Sequence, residues 1–206
     1  MREYSTSESY SGKVVAGDHQ LLRAVTVASG QVLSAGAVLA EVAGKVQALG
    51  LEQAAAAEVL AAGDGAAKVF TGLLAQGGVT PGTVAVSATI GSASKVLTDD
   101  GRGRLSGEGV GTGSLDYGSG CYRLEFDAAP DNAADITADY KHDAGGAALA
   151  AAVLLEDIDA SAGDEPGSAL AHGEAVADAL VWPDGVGDDQ KARALNQLAS
   201  AGVYVK

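Results

Sequence analysis

The sequence predicts a mainly β protein: a small β-barrel or sandwich-like core with one short C-terminal helix, plus an inserted antiparallel β-sandwich-like module. Three observations predict it. Short apolar runs are separated by glycine clusters, with 29 Gly against 4 Pro, and glycine takes the positive φ of tight turns without steric cost. A segment near the C-terminus has a helical pattern set between an acidic capping residue and a glycine. The texture changes at residue 68 and again after residue 140, and the stretch between reads as a self-contained set of strands.

Residues 1–13 read as a flexible N-terminal arm rich in Ser, Tyr and Glu. Such arms order on a partner, and Tyr4 and Tyr10 are its two anchoring groups. Residues 14–67 and 141–206 form one discontinuous core. Residues 21–27 make an imperfectly alternating strand, Ser29-Gly30 a turn, and Val32-Leu33 and residues 37–42 further short strands broken at Ala35-Gly36. Residues 51–62 are alanine-rich, carry Glu52 and Glu58 and end before Gly63, so propensity predicts a helix there.

Residues 68–140 are the inserted module. Val79-Thr80-Pro81-Gly82 is a turn. Residues 83–90 alternate cleanly, with Val84, Val86, Ala88 and Ile90 on one face. Residues 95–98 and 104–107 are short strands. Tyr122, Leu124 and Phe126 share one face of a strand over 121–126, and Ile136, Ala138 and Tyr140 one face of another over 135–140. Residues 145–156 suit either a helix or a buried strand ending in Val153-Leu154-Leu155. Residues 156–165 are acidic and turn-like. Val181-Trp182-Pro183-Asp184-Gly185 is extended and runs into a proline-anchored turn. Asp188 is the expected N-cap of a helix over 189–201, with Leu195, Leu198 and Ala199 on one side. Gly202 follows as the C′ residue and Val203-Tyr204-Val205 as a last strand.

Composition narrows the function classes. Hydrophobic residues make up 47% of the chain but aromatics only 4%. Alanine and valine bury little area each, so oligomerisation or docking on a larger surface is expected to add stability. The net charge is −14. A surface this acidic repels phosphate backbones and anionic membranes, so neither nucleic acid nor a membrane is expected as partner. It does keep many side-by-side copies soluble. Cys121 is the single cysteine, so an intrachain disulfide is impossible and assembly in a reducing cytoplasm is compatible. Residues 1–11 lack the apolar stretch of a signal peptide.

No catalytic or cofactor pattern stands out. The glycines over residues 107–113 lack the strand-before, helix-after context of a phosphate loop. Asp99, Asp100, Glu108, Asp127, Asp131 and Asp135 in the module, and Asp157, Asp159, Asp164 and Glu165 in the core, lack calcium-loop spacing and read as solvated loop acids. His19, His142 and His172 are too scattered for a zinc site. Lys45, in Gly44-Lys45-Val46, lies outside the hairpin-tip contexts of biotinyl and lipoyl carriers. Trp182, as the only tryptophan, reads as a core or subunit-interface anchor. The protein is therefore expected to be non-enzymatic, with no metal and no cofactor.

Residues 179–185 followed by 188–202 and by Val203-Tyr204-Val205 resemble the C-terminal end of the lambda-type phage head decoration proteins, capsid-stabilising proteins that end in a leucine-tryptophan-proline segment, one helix and one strand. Residues 17–41 resemble the N-terminal half of that family, and residues 154–160 its central strand and acidic loop. Residues 68–140 depart from the short members and resemble a separate module of phage structural proteins. The resemblance implies a homotrimer on the outer capsid surface of the virion, made in the host cytoplasm, that clamps neighbouring subunits of the major capsid protein on the expanded head. It further implies an arm that orders by pairing with a capsid strand, a role falling here to Glu3, Tyr4, Tyr10, Val14 and Val15. Trp182, Pro183, Leu195 and Leu198 would form the core and trimer interface. The inserted module would face outward, with room for a ligand of unknown kind. The alternative expectation is a carbohydrate- or receptor-binding module of a virion, with residues 68–140 as the binding part.

Overall fold

The structure, a computed structural model, describes residues 14–206. The expectations for the arm over 1–13, including Glu3, Tyr4 and Tyr10, fall outside the described residues. In chain order the strands are β1 (Val15–Val27), β2 (Val32–Leu33), β3 (Val38–Val42), β4 (Lys45–Ala48), β5 (Gln53–Ala62), β6 (Val69–Leu73), β7 (Ala85–Ile90), β8 (Ala93–Asp99), β9 (Arg104–Gly107), β10 (Gly111–Leu115), β11 (Cys121–Phe126), β12 (Asp135–His142), β13 (Ala150–Leu154), β14 (Ile158–Asp159), β15 (Glu165–Ala175) and β16 (Val203–Val205). One helix, α1 (Asp188–Ala201), and a 3-10 turn at Ala177–Ala179 complete the set. The protein is mainly β with one short C-terminal helix.

The chain divides into two compact units. One is built from residues 14–51 and Gly146–Lys206, the other is Glu52–Gly145. The module was expected to run from 68 to 140. The second unit takes in residues 52–67 because β5 pairs along its length with β12, from Gln53 opposite His142 to Ala62 opposite Asp135. The helix expected over 51–62 is thus a strand. Alanine favours helix only weakly, and a full ladder of cross-strand hydrogen bonds outweighs that preference. Ala57, at φ 50, bulges out of the ladder, and its N–H donates to Asp139 Oδ1 at 2.8 Å.

In the first unit the strands run β1-β4-β3-β13-β15, and β15 pairs back onto β1, so the ring closes into a small barrel. β16 extends the sheet in parallel beside the end of β15. Both faces of this sheet are covered: Val38, Ala40, Val153 and Leu170 pack in one cluster with α1, and Leu39, Leu154 and Ala169 in a second, all at 0% exposure. The segment left open between helix and strand is β13, central to this ring. α1 packs on β13 and β16, and its buried residues Gln190, Ala194 and Leu198 are spaced one helical turn apart. The helix begins at Asp188 itself, with Gly187 as an N-cap that has no side chain to offer, and ends at Gly202 in the left-handed region. Asp188 and Asp189 sit in the first turn, where they oppose the helix dipole favourably.

In the second unit eight strands follow the order β5-β12-β7-β8-β9-β10-β11-β6. The period-two faces read from the sequence are its core: Tyr122, Leu124, Phe126, Ile136, Ala138 and Tyr140 are all buried, together with Val84, Val86 and Ala88. The end strands β5 and β6 share no backbone ladder. Side chains tie them instead. Tyr122 Oη donates to the Leu60 carbonyl at 3.3 Å, and Glu58 Oε1 accepts from Ala75 N–H at 2.7 Å. Gly72 leaves the space that Tyr122 crosses, since a Cβ there would lie 2.5 Å from the hydroxyl oxygen.

Candidate functional site

The root of the N-terminal segment is built into the barrel. Val14 is 3% exposed and packs with Val15 into the cluster that holds Leu49, Leu170 and Leu198. Val176 N–H donates to the Val14 carbonyl at 2.9 Å, and Val15 and Ala16 pair with Ala175 and Glu174 of β15. Val14 and Val15, expected on the arm, are therefore part of the apolar cluster that the sheet shares with α1. Burial of a valine contributes about 1.5 kcal/mol or more, so Val14 is held in place where the described residues begin.

The segment after β15 returns to the same end. Val181 N–H donates to the Gly36 carbonyl at 2.8 Å, and Val38 N–H donates to Val181 at 3.2 Å. Gly36 has φ 92, and a Cβ on it would lie 2.0 Å from the Ala179 carbonyl oxygen. Only glycine allows this crossing. Trp182 is half-buried against the barrel core and Pro183 beside it is half-buried. Leu198 is fully buried and Leu195 half-buried on α1. The structure thus brings Trp182 and Leu198 to one apolar cluster with Val14.

Sequence reasoning missed a neighbouring exposed patch. Leu21, 63% exposed, pairs with His172, whose ring meets Tyr204 edge-on at 6.5 Å; Tyr204 is 52% exposed. The signal was available in Val203-Tyr204-Val205, where alternation turns the tyrosine away from two core-facing valines. Beside it Lys206 Nζ and Glu174 Oε1 are paired.

The acids of the loops accept hydrogen bonds from their own turns or from loops distant in sequence. Asp64 Oδ1 accepts from Ala66 and Ala67 N–H at 2.8 and 2.6 Å, and Asp131 from Gly91 and Ser92 at 2.8 and 2.7 Å. Asp157 takes Ala35 N–H at 2.8 Å, and Asp164 takes Ser29 N–H at 3.0 Å and Lys45 Nζ at 2.6 Å. Hydrogen bonds to the ionised form hold the Asp64, Asp100, Asp116, Asp159 and Asp164 carboxyls below the ordinary range, through backbone N–H of Ala67 at Asp64 and of Arg102 at Asp100, the Ser119 and Ser161 side chains at Asp116 and Asp159, and the Lys45 ammonium at Asp164. Among the described residues no group of three or more His, Cys, Asp or Glu is placed to hold a metal ion. Cys121 is exposed on the outer face of β11. In the second unit all five aromatic rings, Phe70, Tyr117, Tyr122, Phe126 and Tyr140, are buried or half-buried. No helix among the described residues is long and apolar enough to cross a membrane.

Comparison with known proteins gives one assignment. The family model for the bacteriophage lambda head decoration protein D matches residues 10–203. No curated protein and no solved structure matches the chain. The match runs from just ahead of the buried Val14 to the last strand, across both chain segments that close the barrel. The chain belongs to the bacteriophage lambda head decoration protein D family, and its role is that of a structural, decorating component of a phage capsid.

Proposed function

We propose that the protein binds the outside of the expanded head as a homotrimer and stabilises the shell by bridging neighbouring subunits of the major capsid protein. It acts without catalysis. The segment ahead of Val14, with Glu3, Tyr4 and Tyr10, orders on the capsid by adding backbone hydrogen bonds to an exposed strand edge, and trimerisation multiplies that weak contact by avidity. The half-buried face of Trp182, Pro183 and Leu195 meets the neighbouring copy.

The observation that carries this reading is the anchoring of Val14. An arm transmits force to a shell only if its base is fixed, and here the base is a 3% exposed valine held to Val176 by a 2.9 Å hydrogen bond. Removing residues 1–13 while keeping Val14 tests it. Purified expanded capsids are mixed with full-length or truncated protein, and occupancy is measured by electron cryo-microscopy. The truncated protein is expected to remain folded and to lose occupancy. Full occupancy overturns the arm mechanism, and decorated capsids on which the protein does not sit in groups of three overturn the trimer.

A further inference from the structure

The chain has three Asp-Gly dipeptides: Asp64-Gly65, Asp100-Gly101 and Asp184-Gly185. This pair is the chemically vulnerable one in a polypeptide, because a glycine amide has no Cβ to hinder attack on the preceding carboxyl carbon. The fold treats the three differently. Asp64 Oδ1 accepts two backbone N–H groups, from Ala66 and Ala67. Asp100 Oδ1 accepts from Arg102 N–H at 2.8 Å and Arg104 N–H at 3.2 Å. Each carboxylate is thereby turned toward the residues beyond its glycine and held ionised. Asp184 is exposed and has no hydrogen bond or ion pair with any described residue. Its glycine sits at φ 84 in a turn closed by Val186 N–H on the Pro183 carbonyl at 3.4 Å.

We propose that Asp184-Gly185 is the site of spontaneous aspartate isomerisation in this protein, and that the turn-closing hydrogen bonds protect Asp64 and Asp100. The Gly185 amide nitrogen attacks Asp184 Cγ. A C–N bond forms, one carboxyl oxygen leaves as water with the amide hydrogen and a proton, and a five-membered succinimide results. Water then adds back. Opening at the side-chain carbonyl restores aspartate. Opening at the main-chain carbonyl routes the backbone through the former side chain and gives isoaspartate, with no net change in mass. The product inserts one methylene into the chain between Trp182 and α1.

The test is to incubate the full-length native chain at 37 °C and neutral pH and to map isoaspartate by enzymatic methylation and peptide fragmentation. A parallel sample is held in denaturant. In the native sample isoaspartate is expected at position 184 about tenfold faster than at 64 or 100, the factor that one charge-assisted hydrogen bond supplies to a barrier. In the denatured sample the three rates converge. Asp184→Glu, whose ring closure is six-membered and slow, is expected to remove the native signal. Comparable rates at the three sites in the native chain, or a persistent preference for 184 in denaturant, overturn the proposal.

Discussion

The Tyr140 hydroxyl donates to Glu58 Oε2 at 2.5 Å, and the same oxygen of Tyr140 accepts from Gln76 N–H at 3.2 Å. With Ala75 N–H on the other Glu58 oxygen, two side chains of the β5 and β12 pair hold the chain just past β6. The eight-stranded sheet is thus fastened by side chains where its backbone ladder stops. Tyr140→Phe removes the donor to an ionised acceptor and is expected to cost about 1.5–3 kcal/mol. A double-mutant cycle with Glu58→Gln, read by chemical denaturation of the second unit, is expected to show coupling of about 1 kcal/mol. Additive effects would contradict the fastening.

Gly36 gives a sharper expectation for the barrel. Any Cβ there meets the Ala179 carbonyl and must also accept φ 92. Gly36→Ala is expected to destabilise the first unit by about 3 kcal/mol or more, while Gly30→Ala, at φ 84 with open space around it, costs about 1 kcal/mol. Thermal denaturation of the two variants side by side checks the order.

Leu198 is fully buried beneath α1 among Val14, Leu170 and Val203. Leu198→Ala leaves a cavity and is expected to cost about 2–5 kcal/mol. Leu195→Ala, half-buried, should cost less in folding and, on the proposed trimer, more in capsid occupancy. Measuring both quantities for both variants separates packing from assembly.

Alkaline pH should unfasten the second unit. Burial, then a hydrogen bond to a carboxylate, raises Tyr140 and Tyr117 from the ordinary 10.0 to about 12. The neutral phenols are favoured in the folded state, so their contribution is complete below pH 10.0 and is lost as pH rises toward about 12. A denaturation series across that window should show falling stability, and Tyr140→Phe should flatten the slope.

Much of this architecture could be read from the chain because several strands bury one face cleanly. Cys121–Phe126 alternates exposed and buried without exception, and α1 announces its end with Gly202. Gln53–Ala62 hid because its alanines carry no size contrast between faces. Its strand state depends on β12, distant in sequence, and on the tyrosines that reach Glu58 and Leu60. Glu165–Ala175 hid for another reason: Pro166, Gly167 and Gly173 break its pattern, although it is the longest neighbour of β1. Of the proposed contact residues, the buried role of Leu198 followed from helical spacing. The packing of Val14 and Val15 into the cluster with α1 did not, because a short apolar pair after a polar stretch has no period to read.

Gly50 N–H donates to the Ala147 carbonyl at 2.6 Å. The two segments through which the polypeptide leaves the barrel and comes back are therefore stitched together one residue short of the exit. Whatever is spliced between them adds little closure entropy to the barrel's own folding. The barrel behaves as a socket with two adjacent terminals, suited to carrying interchangeable cargo. Joining Leu51 to Gly146 should leave a folded, soluble barrel, and grafting an unrelated domain with neighbouring ends should do the same.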